Sequence, residues 1–158
     1  MAYSGIYKVK NREKYTGDVD NVVYRSLKER QIMVFFDACE NILEWGSEEV
    51  IVPYVYDVDG RIHRYFPDFT CNLRSQSGEI KDYLLEYKPF SQCSPPKPPK
   101  TRHHKRQTRF LKESQTYIKN INKWKAANAW AKKNEMEFFV ITEKNTKKMN
   151  FFIDCIRQ

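Results

Sequence analysis

Two strand-like segments constrain the fold of this chain more than any other feature. The first is Phe66-Pro67-Asp68-Phe69, at the end of an aromatic run, and the second is Leu85-Glu86-Tyr87-Lys88. The turn-like stretch Ser75-Gln76-Ser77-Gly78 lies between them and favours antiparallel strands. Because side chains two apart on a strand point the same way, Glu86 and Lys88 share a face. Two acids and a lysine are therefore predicted to converge at one end of a sheet.

Two carboxylates beside a lysine suit metal-dependent cleavage of a phosphodiester. Carboxylate oxygens bind Mg²⁺, and a cation can act next to the attacking water. Asp68 alone could be an ordinary strand-end aspartate, and Lys88 could be only a salt-bridge partner of Glu86. Glu86 is harder to explain structurally, because an unpaired carboxylate buried in an apolar strand costs several kcal/mol. We therefore interpret the three residues as a candidate metal site.

A further acid is predicted on the first helix. This helix is expected over residues 22–39, capped by Asp20 or Asn21. At 100° per residue, Glu29 falls on an apolar face of the helix. It could pair with Arg25, or it could reach the metal directly or through water if this face packs beside the sheet.

The remaining pattern predicts an α/β (α+β) fold with a mixed, mainly antiparallel sheet flanked by helices. The Asp57-Val58-Asp59-Gly60 turn indicates a hairpin. A Pro-rich stretch favours an extended loop, a seven-residue apolar repeat favours a long helix, and the strand after that helix can join the sheet in parallel. The strands are expected at residues 42–45, 50–56, 61–73, 80–88 and 137–142, the Pro-rich loop at about 89–104, the long helix at about 105–133, and a short amphipathic helix at 151–156.

Composition limits the class of protein. A length of 158 residues suits a single domain, residues 1–158. No segment approaches the roughly 20 apolar residues of a membrane span, and no signal peptide is evident, so a soluble intracellular protein without a membrane partner is expected. The four cysteines, at positions 39, 71, 93 and 155, match no metal-binding or disulfide spacing, and free thiols are expected.

The positive charge of the chain is concentrated in one segment. Between Lys88 and Lys112 there are eight Lys or Arg and no Asp or Glu, whereas the other residues carry 20 of each sign, so this segment holds the whole net charge of +8. A polycation that begins at the motif lysine would attract DNA through its phosphates. The candidate DNA-binding residues are Lys97, Lys100, Arg102, Lys105, Arg106, Arg109, Lys112 and His63.

These motifs carry a family resemblance. PD followed by ExK, with a helical glutamate upstream, resembles the PD-(D/E)XK nuclease superfamily. The sequence at residues 24–30, 43–49, 63–69 and 117–127 is similar to the head completion nucleases of tailed bacteriophages and, more distantly, to transposon-end-cleaving endonucleases. The resemblance extends from the first five residues to residue 144, and the tail from Asn145 lies beyond it.

The resemblance implies a restriction-endonuclease-like core and a DNA endonuclease whose catalytic residues are Glu29, Asp68, Glu86 and Lys88. Asp68 and Glu86, with the backbone carbonyl of Tyr87, would hold one or two Mg²⁺ ions, for which Mn²⁺ could substitute. Glu29 would complete the metal shell, and Lys88 would orient the water or stabilise the transition state.

The resemblance also implies a biological role. The enzyme would trim protruding or branched DNA after genome packaging and before tail attachment. Head or portal proteins would be its partners, in the host cytoplasm or at the head–tail vertex of the virion. Its oligomeric state stays open, a dimer included.

Two other classes of function remain open from the sequence. One is a DNA-binding portal or head completion protein that cuts nothing. The other is a resolvase or a restriction-type nuclease, although the chain is small for an enzyme that also reads a specific DNA sequence.

Overall fold

The protein combines a four-stranded mixed sheet with two long helices and a separate hairpin. The computed structural model describes residues 3–146. Its elements are β1 (Gly5–Ile6), β2 (Val23–Tyr24), α1 (Leu27–Ala38), β3 (Ile42–Ser47), β4 (Val52–Tyr56), β5 (Arg61–Tyr65), β6 (Phe69–Arg74), β7 (Ile80–Tyr87), α2 (His104–Lys133), β8 (Met136–Ile141) and α3 (Glu143–Thr146).

The main sheet has the strand order β3-β6-β7-β8. Strands β3, β6 and β7 are antiparallel neighbours, whereas β8 pairs with β7 in parallel after the α2 crossover. A parallel neighbour requires such a crossover, because a tight turn cannot return the chain in the same direction. The predicted fold class, with its parallel last strand, is confirmed.

Helix α1 starts later than its sequence pattern predicted. Its N-cap is Ser26, whose side chain accepts a hydrogen bond from the backbone N–H of Glu29, so the prediction of Asp20 or Asn21 as the cap was wrong. The preceding residues, Val23 and Tyr24, are extended and pair with β1. The apolar segment that was predicted to begin the helix is instead a short strand paired with the N-terminal arm.

The β4–β5 hairpin forms a sheet of its own. Its turn contains Gly60 with a φ of +66°, as the Asp-Gly pair predicted. The single strand expected over residues 61–73 is instead two strands in two different sheets. They separate at residues 66–68, where Pro67 cannot donate to a ladder and the chain passes from the hairpin to the main sheet.

The main sheet is covered on both faces, and β7 contributes to both cores. Leu85 packs in the core on the α1 side, which contains Met33, Phe36, Trp45 and Phe69. Leu84 packs in the core on the other side, together with residues of the hairpin and of α2, namely Val52, Tyr54, Tyr65, Ala127 and Ala131. Since neighbouring side chains on a strand alternate between faces, Glu86 lies on the same side as Leu84.

Between β7 and α2 the chain is mostly irregular, as its prolines predicted. A single 3₁₀ turn, Phe90–Gln92, is the regular structure found there. Within the described residues, no helix is long and apolar enough to cross a membrane. Cys39 and Cys93 are free thiols, as expected. The amphipathic helix predicted at residues 151–156, and Cys155, lie outside the described residues.

Candidate active site

Strand register places Asp68 opposite Glu86. Phe69 pairs with Leu85 across the β6–β7 ladder, so one further step along each strand brings Asp68 and Glu86 into facing positions. Directly opposed residues on antiparallel strands have Cβ atoms about 4.5–5.5 Å apart and point to the same face. The Oδ2 atom of Asp68 also accepts a hydrogen bond of 2.8 Å from the backbone N–H of Tyr87. The two acids of the sequence motif are thus held side by side.

Glu86 is a buried carboxylate with two partners. It is only 2% exposed. Its Oε2 atom accepts a 2.7 Å hydrogen bond from the hydroxyl of Tyr65, and its Oε1 atom lies 2.9 Å from Nζ of Lys88. These contacts offset the cost of burying the charge. Lys88 therefore meets Glu86 as the alternation of the strand predicted, while Tyr65 reaches it from the hairpin.

The electrostatics of this cluster show an excess of negative charge. Burial, followed by the negative charge of Glu86, raises the pKa of Asp68 well above its ordinary value. Burial disfavours the charge on Lys88, but Glu86 and Asp68 outweigh it and raise the pKa of the lysine. Burial and Glu86 also raise the pKa of Tyr65, so the hydroxyl stays protonated as a donor. The site therefore holds two carboxylates, Asp68 and Glu86, beside Lys88, which is paired with Glu86.

A second lysine, which the sequence reasoning did not select, lies next to this cluster. Nζ of Lys123 on α2 is 5.1 Å from the centre of the Tyr65 ring. Burial is the largest influence on the pKa of Lys123 and lowers it. A sequence signal was available, because Lys123 precedes Ala127 by four residues and so shares its buried stripe.

Glu29 serves first as a helix cap. Its Oε2 atom accepts from the backbone N–H of Arg25 and its Oε1 atom from the hydroxyl of Ser26, while Oγ of Ser26 accepts from the backbone N–H of Glu29; this is a variant of the capping box. Glu29 therefore contacts the backbone of Arg25, whereas the guanidinium of Arg25 pairs with Glu48. Glu29 still contributes to the raised pKa of Asp68 and of Lys88, so its charge is felt in the site.

The predicted DNA-binding residues fall into two groups. His63 stays on the hairpin, where it bonds Asp59 at 2.8 Å and packs against the rings of Tyr54 and Tyr56. The other seven are exposed on the Pro-rich loop or the first turns of α2, namely Lys97, Lys100, Arg102, Lys105, Arg106, Arg109 and Lys112.

The residues of the site fit a Mg²⁺ ion held by few side chains. No three His, Cys, Asp or Glu side chains between residues 3 and 144 are grouped to hold a metal. Mg²⁺, however, is commonly bound by one or two carboxylates together with waters and substrate phosphates. Burial and then the charge of Glu86 raise the pKa of Asp68, so a divalent ion at the pair would favour the ionised carboxylate. Asp68 and Glu86 are the side chains that would hold it.

The Tyr65 contact gives a first testable prediction. Tyr65→Phe removes the hydroxyl that donates to Glu86 and leaves Oε2 without that partner. We expect a loss of roughly 1–3 kcal/mol in the free energy of unfolding, measured by urea denaturation in EDTA. Tyr56→Phe, which alters an exposed bond of 3.5 Å to Gln115, is the matched control. Equal stability of the two variants would contradict the inferred strength of the Tyr65–Glu86 bond.

Comparison with known proteins agrees with this geometry. The family described as TnsA-like endonuclease N terminal matches residues 39–143. The chain belongs to this endonuclease family. The head completion nuclease of Enterobacteria phage T4 is 34% identical over 151 residues, which cover 96% of this chain and 98% of that protein. No solved structure matches.

Membership of the TnsA-like endonuclease family confirms the resemblance found in the sequence and makes the chain a nuclease. The matched region includes Asp68, Glu86 and Lys88, whereas Glu29 precedes it.

Proposed function

We propose that this chain is a Mg²⁺-dependent DNA endonuclease that trims protruding or branched DNA during phage head completion, after genome packaging and before tail attachment. The observation that carries the proposal is the pairing of half-buried Asp68 with buried Glu86, whose Oε1 atom lies 2.9 Å from Nζ of Lys88, in a member of an endonuclease family. A stable fold gains little from two adjacent carboxylates withdrawn from water, so their presence favours a role in chemistry.

The residues of the site have separate tasks in this proposal. Asp68 and Glu86 hold Mg²⁺ with the backbone carbonyl of Tyr87. The ion, when bound, lowers the pKa of a coordinated water and offsets negative charge on the phosphate. Lys88, which lies 2.9 Å from Oε1 of Glu86, would donate to the water or to a phosphate oxygen. Tyr65 fixes the orientation of Glu86, and Glu29 adds negative charge from the end of α1, directly or through water.

DNA is drawn in by the basic segment. The first turn of α2 contains no acidic residue, and its N-cap, His103, makes no side-chain cap. Cations at the N-terminus of a helix oppose its dipole and disfavour the helix. The basic residues of this first turn, Lys105 and Arg106, are therefore better explained by binding an anionic partner than by stabilising the fold. Phosphate contacts of this kind are largely independent of sequence.

The biological part of the proposal rests on the relative from phage T4. That protein is called a head completion nuclease, and the similarity extends over nearly all of both chains. On this basis we propose that the present chain acts in the host cytoplasm or at the head–tail vertex, with head or portal proteins as partners. The molar mass of the purified protein in solution would give its oligomeric state.

Cleavage assays with a Glu86→Gln variant test the proposal. We expect wild-type protein to cut DNA with Mg²⁺ or Mn²⁺ and not with EDTA. Glu86→Gln should reduce the rate by about 10²–10³-fold or more, since it removes charge that the metal and the transition state require. The matched control is Asp82→Asn, an exposed acid on the same strand, and it should cut at the wild-type rate.

The results also separate the other functions. DNA binding with no cleavage in either metal would overturn the nuclease and favour a DNA-binding head protein. Linear, flapped and four-way branched substrates compared at equal concentration distinguish trimming from resolvase activity. Cleavage confined to one sequence would contradict trimming and favour a restriction-type enzyme.

A further inference from the structure

Two lysines on α2 are laid over tyrosine rings of the neighbouring elements. Nζ of Lys119 lies 5.0 Å from the ring centre of Tyr56, and Nζ of Lys123 lies 5.1 Å from that of Tyr65 and 6.0 Å from that of Tyr54. A cation within about 6 Å of a ring centre is attracted by the negative face of the ring. Both ammonium groups are therefore held in defined positions instead of moving freely in solvent.

Neither lysine has a salt-bridge partner among the side chains of residues 3–144. Within residues 3–144, the salt bridges of the protein involve other basic residues, although both lysines are half-buried. Withdrawing an ammonium group from water without a directly paired carboxylate is unfavourable, and cation–ring attraction, with the more distant carboxylates near Lys123, offsets only part of that cost. An anion bound from outside would complete the environment of these two groups.

The two lysines lead toward the candidate active site. They are four residues apart, which is about one turn or 6 Å along the helix, and so lie on one side of α2. Lys123 covers the ring of Tyr65, whose hydroxyl bonds Glu86. The charges of Glu86, Asp68 and Lys88 all act on Lys123, which places it within electrostatic reach of the site. Lys119 lies one turn further from it.

We propose that Lys119 and Lys123 form a phosphate-binding track that guides one DNA strand into the site of Asp68 and Glu86. This inference rests on the proposed nuclease function, and it adds a binding site to the exposed basic segment that ends at Lys112. The ligand is the phosphodiester backbone. The tyrosine rings fix the ammonium groups in advance, so less side-chain entropy is lost when the strand binds.

Lys→Met substitutions test the track. Methionine keeps an unbranched stem over each tyrosine ring and removes the charge. The matched control is Lys125→Met, an exposed lysine between Lys123 and the end of the same helix, with the same change in net charge. Binding of a short fluorescent DNA, single-stranded and duplex, is measured in EDTA over a range of salt concentrations. Melting temperatures of all variants verify that they are folded.

The expected result is a change in salt dependence. Lys119→Met and Lys123→Met should each lower the slope of log affinity against log salt by about 1, and the double variant by about 2, whereas Lys125→Met leaves it unchanged. Equal slopes for the double variant and the control would overturn the track. The track would also be overturned if inorganic phosphate or a free nucleotide inhibited DNA binding by the wild type while the double variant bound DNA as the wild type does.

The binding assay separates this inference from the proposed function. Because it is done in EDTA, it does not depend on cleavage. A wild-type chain that never cuts but binds DNA through Lys119 and Lys123 would overturn the nuclease and retain the track. If the chain cuts DNA but its Lys119 and Lys123 variants bind DNA like the control, the nuclease is retained and the track is overturned.

Discussion

Replacing Asp68 with Asn is expected to abolish DNA cleavage and, without metal, to raise the melting temperature. Asn keeps an oxygen that can accept from the backbone N–H of Tyr87, as Oδ2 of Asp68 does at 2.8 Å. It removes the charge that burial and Glu86 make unfavourable, as the raised pKa of Asp68 indicates. One substitution should therefore improve the fold and remove the activity, because the proposed metal ligand is also an unfavourable charge in the metal-free fold.

The pH dependence of stability has a defined sign. The pKa of Asp68 is higher in the folded chain than in the unfolded chain, so the protonated acid favours folding. This contribution is present below the ordinary pKa of an aspartate and is lost as the pH rises through the raised value. In EDTA, the gain from Asp68→Asn should thus be small at acidic pH and larger at neutral pH.

Thermal melts and cleavage assays measure these effects. For a domain of this size, each 1 kcal/mol shifts the melting temperature by roughly 2–4 °C. Mg²⁺ should raise the melting temperature of the wild type and have little effect on Asp68→Asn, since a ligand stabilises only the state that binds it. Asp82→Asn should behave as wild type. A metal-free Asp68→Asn protein less stable than wild type at neutral pH would refute the interpretation of the pair.

Replacing Asp37 with Asn is expected to have the opposite effect on stability. Asp37 is 1% exposed on α1. It accepts hydrogen bonds from the hydroxyl of Tyr7 and from the backbone N–H groups of Lys10 and Asn11, at 2.8, 2.7 and 2.9 Å. An Asn side chain has one acceptor oxygen and would direct an NH₂ group at a donor. We expect a loss of about 2–4 kcal/mol in the free energy of unfolding.

The pH profile distinguishes this aspartate from the one in the site. Burial would raise the pKa of Asp37, but the hydrogen bonds from Lys10, Asn11 and Tyr7 together lower it. Its stabilisation is present above the ordinary pKa of an aspartate and is lost as the pH falls toward the lowered value. Urea denaturation from pH 3 to 7 would measure it, with Asp82→Asn again as the control. An Asp37→Asn protein as stable as wild type would show that the N-terminal arm is not anchored by this carboxylate.

Local patterns in the sequence were sufficient to predict the long elements. The seven-residue repeat predicted α2, and the apolar run after it predicted the parallel strand β8. The start of α1 was misplaced because Val23 and Tyr24 are apolar enough to extend a helix but pair with a distant arm. The capping box of Ser26 and Glu29 was a local signal that marks the true start.

The site could be predicted only in part. Alternation along one strand brings Glu86 and Lys88 together, and a ladder register brings Asp68 opposite Glu86. The contacts of Tyr65 and Lys123 depend on how the β4–β5 hairpin and helix α2 pack on the sheet. The residue pattern within each segment does not predict this packing. The hydrogen bonds to Asp37 were not predicted for the same reason, because their donors lie in the irregular N-terminal segment.

The position of β7 in the sheet has a consequence for the order in which the molecule matures. Glu86 lies on a strand whose second neighbour, β8, is translated only after the 30 residues of α2, and the N–H of Lys88 donates to the carbonyl of Ile141 at the end of that strand. A nascent chain that ends before residue 141 leaves β7 as an open edge. The Asp68–Glu86 site therefore gains its last neighbouring strand late in synthesis, after residues 88–112 have been translated.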